Sequence, residues 1–282
     1  MGHQALPHPS PGRLHGVRRP GRGRNRPLVA GRTSGRRAVT GPQEHSAVGG
    51  AIVSKGSALI VGVGPGLGLA LARAFARDGN PVALFGRGAE RLEEYASGLV
   101  AEGHTANAYQ ADAADPKALQ AALVKAADEL GAPEVLVYNA ALLAADTPTG
   151  LDAQDFARAL AVNVTGAMVA ARTVLPLLPD DRGSLLFTGG GLALDPSPEY
   201  SSLSVGKAAL RAYVQSLYKQ QQGTGVHVTT VTVTGYIGGD DPRFTPEALA
   251  AAYLDLHHQP QGWWQAELLY PDHPAFGPAP RC

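Results

Sequence analysis

Apolar and polar positions along this chain fall into two alternating registers. The apolar run Ala58 to Val61 leads straight into Gly62, Gly64, Gly66 and Gly68, and then into LALARAFARDG, whose apolar residues recur at spacings of three and four. The pattern predicts a buried strand, a tight turn and a helix. Further strands are expected over Pro81–Phe85, Ala106–Gln110, Val135–Tyr138, Ser184–Thr188 and Val226–Val233, with a last edge strand at Ala266–Tyr270. Helical patterns occupy Ala89–Ala101, Pro116–Leu130, Leu151–Leu178, Tyr200–Gln221 and Pro246–Leu256. Strands that alternate with helices of this length make right-handed βαβ units and a parallel sheet covered on both faces. The expected fold is therefore a single doubly wound α/β domain whose ligands lie at the carboxyl ends of the strands.

The glycine stretch carries the first chemistry. A backbone that must turn sharply and let a pyrophosphate approach needs positions without Cβ, and the helix that follows offers unpaired N–H groups to the anion. A purely structural turn is the alternative, but the strand before and the helix after are the context that dinucleotide binding requires.

Composition changes the picture at the N-terminus. The 282 residues carry 24 basic and 24 acidic side chains. Residues 1–52 hold nine arginines and one acid, Glu44, a net charge of +8, which leaves −8 for the rest. The mildly acidic remainder argues against nucleic acid as its partner. Residues 1–52, rich in Arg, Gly and Pro, have no foldable periodicity and are expected to be a disordered leader, with the folded domain over 53–282. A basic arm, a transit peptide and a leader outside the natural protein are the readings for that segment. The lone cysteine, Cys282, excludes an internal disulfide and a cysteine metal cluster, and no metal site is expected. His257 and His258 are expected on the surface. No run of about eighteen apolar residues stands out, so no membrane span is expected.

Taken together, residues 56–270 resemble the short-chain dehydrogenase/reductase family, a Rossmann-like fold. Gly62, Gly66 and Gly68 match the family's T-G-x-x-x-G-x-G turn, with Val61 where threonine is usual. Tyr138-Asn139-Ala140-Ala141 stands where the family writes N-N-A-G, and Thr234-Gly235 where Pro-Gly closes the sixth strand. The resemblance implies that Gly62, Gly64, Gly66, Leu67 and Gly68 cradle the cofactor. It implies that Asp112, with Ala113, holds the adenine amino group, and that Asn139, Ala140 and Ile237 pack beside the cofactor. Asn163 in AVNVTG matches the asparagine that braces a water in the family's proton relay, and Lys207 in LSVGKAALRAY the lysine that binds the ribose. The second strand ends in Phe85-Gly86-Arg87 with no acid before Glu90, which favours NADP(H) over NAD(H): an arginine suits a 2′-phosphate, a carboxylate the free 2′-hydroxyl.

The catalytic pattern breaks. Counting back four from Lys207 gives Leu203 where the family has its tyrosine acid, and thirteen further gives Gly190 where it has its serine. Tyr200, three residues before 203, would lie one turn away on a continuous helix and is the candidate acid; Tyr138 and Tyr236 are weaker ones, each with a packing alternative. Ser202 and Ser204 point to other faces. Lys207 itself becomes an acid if burial lowers its pKa. Trp263 and Trp264 line a pocket or a subunit interface. The expected function is NADP-dependent hydride transfer to or from a small organic molecule through an atypical relay. The alternatives are a lyase, isomerase or cyclase on the same fold and a non-catalytic nucleotide-binding subunit. A cytoplasmic homodimer or homotetramer, with no nucleic-acid or membrane partner, completes the expectation.

Overall fold

Ser57–Val61 (β1) is buried along its whole length and runs through the middle of a seven-stranded sheet, in a computed structural model that describes residues 55–271 apart from 181. The leader lies outside the described residues. β1 pairs in parallel with Val82–Gly86 (β2) on one side and Pro133–Tyr138 (β4) on the other. Ala106–Gln110 (β3) closes one edge beyond β2. Gly183–Thr188 (β5), Val226–Val233 (β6) and Glu267–Tyr270 (β7) extend the other side, all parallel. The strand order 3-2-1-4-5-6-7 reverses direction between β1 and β4, so their carboxyl ends open a crevice there.

Alternation along β1 sorts the core. Leu59 and Val61 face one layer with Tyr138 and Phe187, while Ala58 and Ile60 face the other with Phe75 and Leu84. The first layer is covered by Pro116–Leu130 (α3), Gly166–Val174 (α5) and Ser201–Gln220 (α6); the second by Leu67–Arg77 (α1), Ala89–Ala101 (α2) and Pro246–His258 (α7). Asp115 caps α3 through the N–H groups of Lys117 and Ala118, with Pro116 in the first turn, which fixes where that helix starts.

The expected helix over Leu151–Leu178 is four pieces, the last a 3₁₀ turn, Leu175–Leu177. Ala153–Leu160 (α4) passes into a π-helical turn, Ala161–Thr165, before α5 begins. A π turn inserts a residue into the helix and often marks a functional site; here Asn163 sits in its middle. By length and composition Ala153–Leu177 is apolar enough to cross a membrane, although Asp155, Arg158 and Arg172 interrupt it. Its α5 half is buried against α3 and β4 as a core helix.

Two further expectations change. The His257 side chain is buried, with Nδ1 2.9 Å from Ser184 Oγ; only His258 lies at the surface, 2.9 Å from Asp78. Trp264 stacks on His227 at 5.1 Å and donates its indole N–H to Gln259 O. This stack is at the amino end of β6, opposite the crevice, so Trp264 lines no pocket there; Trp263 is exposed.

Candidate functional site

The four glycines of the turn divide into two pairs. Gly62 has φ +94°, and a Cβ there would lie 2.4 Å from Ala140 N; a Cβ on Gly68 would lie 2.6 Å from Gly62 O. These two are glycine because backbone passes against them. Gly64 and Gly66 have nothing within 4 Å of a Cβ position, so their missing side chains leave open space in front of the turn. α1 starts there with no side-chain cap and no acid in its first turn, although its first-turn side chains, Leu67 included, are buried. The first N–H groups of that helix therefore face an opening suited to an anion.

That opening is a cleft of about 500 Å³ at the crevice between β1 and β4. It brings together Gly62, Gly64, Arg87, Asp112, Ala113, Asn139 and Ala140 among the residues the sequence singled out. Arg87 follows β2 on its wall and makes no ion pair among the described residues; its carbonyl is held by Gln110 Nε2 at 3.0 Å. Asp112 accepts from Ala114 N at 2.9 Å and lies 3.6 Å from Arg158 in a solvated pair. An adjoining cleft of about 530 Å³ shares Leu142 and is bounded by Asp146, Arg158 and Ser202.

Lys207 and Asn163 line neither cleft but bond to backbone beside them. Lys207 is buried and donates from Nζ to the backbone carbonyl of Thr188 at 2.7 Å, at the carboxyl end of β5. Burial lowers its pKa to about 8, because an ammonium loses its hydration there. Asn163 pairs with the backbone of Leu142 both ways: Leu142 N–H donates to Oδ1 at 2.8 Å, and Nδ2 donates to Leu142 O at 3.3 Å. It thereby pins the loop after β4. A Cβ on Gly206 would lie 2.8 Å from Asn163 Cβ, so the glycine beside Lys207 lets α6 pack directly on the π turn.

Gly190 lies against Lys207. A Cβ there would sit 3.8 Å from the Cγ and Cε of the lysine, in ordinary contact, and its backbone is extended. Leu203 is buried one turn before Lys207. The next turn back does not exist: α6 begins at Ser201, and Tyr200 has φ −139° and ψ 52°. The premise of a continuous helix through Tyr200 is therefore overturned. Its carbonyl accepts from Ser204 Oγ at 2.8 Å, and its backbone forms a bridge with Asp146. Asp146 takes over the capping of α6 through Ser202 N at 2.9 Å and Ser202 Oγ.

The remaining tyrosines are also accounted for. Tyr138 donates to Val162 O at 2.5 Å, and burial drives its pKa far above the ordinary phenol value, so it packs. Tyr236 is 81% exposed, and Ile237 beside it is half-buried against the α1–α7 layer. Gly235 is covered by the Phe244 ring, 2.3 Å from a Cβ position.

Three residues at the site escaped the sequence reading. Thr188 offers its carbonyl to Lys207 and its hydroxyl to Asn139 Oδ1 at 2.9 Å; its place at the end of a strand was the available signal. Tyr253 lies 2.7 Å from the same hydroxyl, but at helical spacing with Leu249 and Leu256 it reads only as core. Asp146 sits in a loop with no pattern.

A doubly wound parallel sheet, a glycine turn at its crevice and a buried lysine held at the carboxyl end of β5 define a nucleotide-binding domain of the dehydrogenase class. Residues 56–240 match the family described as short chain dehydrogenase, and the chain belongs to that family. It is 31% identical over 161 residues to 2,3-dihydro-2,3-dihydroxybenzoate dehydrogenase of Bacillus subtilis, a match covering 57% of this chain and 62% of that protein. It is 31% identical over 182 residues to 2-(S)-hydroxypropyl-CoM dehydrogenase 3 of Xanthobacter autotrophicus, covering 62% of this chain and 71% of the relative. Among solved structures, a short chain dehydrogenase from Burkholderia cenocepacia in complex with NADP superposes with a TM-score of 0.67 at 29% identity, covering 73% of this chain and 91% of that one.

Proposed function

We propose that this protein is an NADP(H)-dependent oxidoreductase acting on a small organic substrate, with Lys207 as the group that carries the proton. The observation that carries this reading is the buried Lys207 ammonium, held on Thr188 O beside Gly190 at the carboxyl end of β5. The residues present fit a dinucleotide: Gly64 and Gly66 leave the space a phosphate fills, and α1 presents open N–H groups. Arg87, with no acid at the end of β2, suits a 2′-phosphate, and Asp112 faces the adenine end of the cleft. When bound, the nicotinamide supplies or accepts the hydride. By count from Lys207, Gly190 and Leu203 replace the family's serine and tyrosine, so neither position offers a hydroxyl. Lys207 Nζ, with a pKa of about 8, is able to give a proton to a substrate oxygen or nitrogen near neutral pH and to regain it from water. Asn163 holds the loop after β4 and so fixes one wall of the site. Pairing of chains through α5 and α6 is supported by the exposed Met168 and Val205, and a cytoplasmic homo-oligomer belongs to the same reading.

The test is thermal unfolding with saturating NADPH, NADP⁺, NADH and NAD⁺, followed by NADPH oxidation over a panel of carbonyls, enones and imines. A ligand at about 100 times its dissociation constant adds about 2.7 kcal/mol, a rise on the order of 5–10 °C for a domain of this size. A rise with the phosphorylated pair alone, and turnover of a panel member, are expected; no rise with any of the four refutes the reading.

The missing hydroxyls at 190 and 203 favour a second reading, a lyase, isomerase or cyclase that needs no hydride; a subunit without catalysis is its limiting case. Turnover that survives removal of all nicotinamide identifies the former. Gly190→Ser with Leu203→Tyr probes the choice further, since a side chain at 190 fits beside Lys207 without clash. Carbonyl reduction created from none by that pair speaks for the non-redox reading.

A further inference from the structure

The carbonyl of Gly62 in the glycine turn ends a chain of hydrogen bonds that starts three elements away. Asn139 Nδ2 donates to Gly62 O at 2.9 Å. That orientation leaves Asn139 Oδ1 as the acceptor, and Thr188 Oγ1 donates to it at 2.9 Å. A hydroxyl has one hydrogen, and that of Thr188 is now used. Tyr253 O–H, 2.7 Å from Thr188 Oγ1, must therefore be the donor of that bond. Three bonds run one way, from α7 through β5 and β4 to the turn. The same threonine offers its backbone carbonyl to Lys207 at 2.7 Å.

Resting on the reading of this crevice as a dinucleotide site, we infer that Tyr253 is a positioning residue for it, its hydroxyl setting the direction of the chain that holds Asn139 against the glycine turn. Tyr253 is fully buried and touches no opening, so it meets neither cofactor nor substrate. Burial raises its phenol well above the ordinary range, which keeps it a donor at every working pH. Packing alone does not call for the hydroxyl. Leu249 and Leu256 already seat α7 in the core, and a phenylalanine ring fills the same volume. What the hydroxyl adds is order: it commits the Thr188 hydrogen to Asn139, and Asn139 in turn presents its NH₂ to Gly62 O. Without it the Thr188 hydroxyl is free to rotate, and Asn139 loses the partner that distinguishes its two ends.

The experiment compares Tyr253→Phe, Thr188→Val and Thr188→Ser with the wild type in direct titrations. The two ligands are NADPH and its fragment adenosine 2′-monophosphate, which has no phosphate for the glycine turn. One hydrogen bond is worth about a fivefold change in affinity. Tyr253→Phe should weaken NADPH about fivefold and leave the fragment within twofold. Thr188→Val should weaken NADPH at least as much while keeping the Lys207 contact, which is to backbone, and Thr188→Ser should restore it. A Tyr253→Phe protein that binds NADPH like the wild type overturns the inference alone. Equal weakening of both ligands also overturns it, as a general loss of packing would do that. A wild type that binds neither ligand overturns the cofactor reading and the inference with it.

Discussion

Replacing Lys207 with methionine separates what the lysine does for function from what it costs the fold. Lys207 is buried, and its pKa falls from 10.5 to about 8 because the ammonium has lost its hydration. Such a drop corresponds to about 3 kcal/mol. The sign follows from linkage. The unfolded lysine holds its proton more tightly than the folded one, so below about pH 8 the charge opposes folding in full. As pH rises from about 8 towards 10.5 the folded lysine is neutral, and the penalty disappears. Methionine has no charge to bury, but it leaves Thr188 O without the Lys207 donor, a cost of about 1–2 kcal/mol. At pH 7 the Lys207→Met protein should therefore be more stable than the wild type by about 1–2 kcal/mol. Near pH 10.5 the order should reverse by a similar amount. Urea denaturation of both proteins side by side, from pH 7 to 10.5, measures the difference while other titrations cancel. A stability difference that stays flat across that range refutes the argument that Lys207 is a strained buried cation. Under the proposed function, the stabilised variant should have no turnover.

Other expectations follow from single positions. Gly62→Ala meets backbone at 2.4 Å in a left-handed conformation and should fail to fold or lose several kcal/mol, about 3 or more. Gly64→Ala enters open space, so its apo melting temperature should hold while NADPH binding falls; circular dichroism melts and a titration read the two apart. Gly206→Ala gains about 1 kcal/mol of helix propensity. Its Cβ, 2.8 Å from Asn163 Cβ, forces α6 away from the π turn at a cost of about 1–3 kcal/mol, so urea midpoints should show net loss. His257 is pushed down to about 4 by burial and then by its neighbour His258. Its unfolded form binds the proton first, so stability should fall as pH drops from about 6.5 to 4, by up to about 3 kcal/mol. His257→Phe should flatten that limb of the pH–stability curve, measured by urea titration.

The fold was legible because each of its elements is written locally. β3, α2, α3 and β6 lie where period and length put them, since their ends are marked by glycines, prolines and a capping aspartate. Half the cleft was legible for a similar reason: Gly62, Asp112 and Asn139 all follow strands whose ends the topology collects. What the sequence hides are interactions between distant segments. The π turn at Asn163 has no periodic signature, because one added residue leaves the apolar pattern nearly unchanged. Tyr200 has a helical pattern, yet Asp146, fifty-odd positions earlier, caps α6 and starts it one residue after Tyr200. The hydroxyl of Tyr253 disappears among the leucines of its stripe, and buried His257 looks like any histidine at a helix end.

Lys207 is moored to a main-chain oxygen, and every residue at position 188 carries that oxygen. The cation's address is thus independent of the side chains around it. Positions 190 and 203 are free to drift, or to be redesigned, around a fixed ammonium.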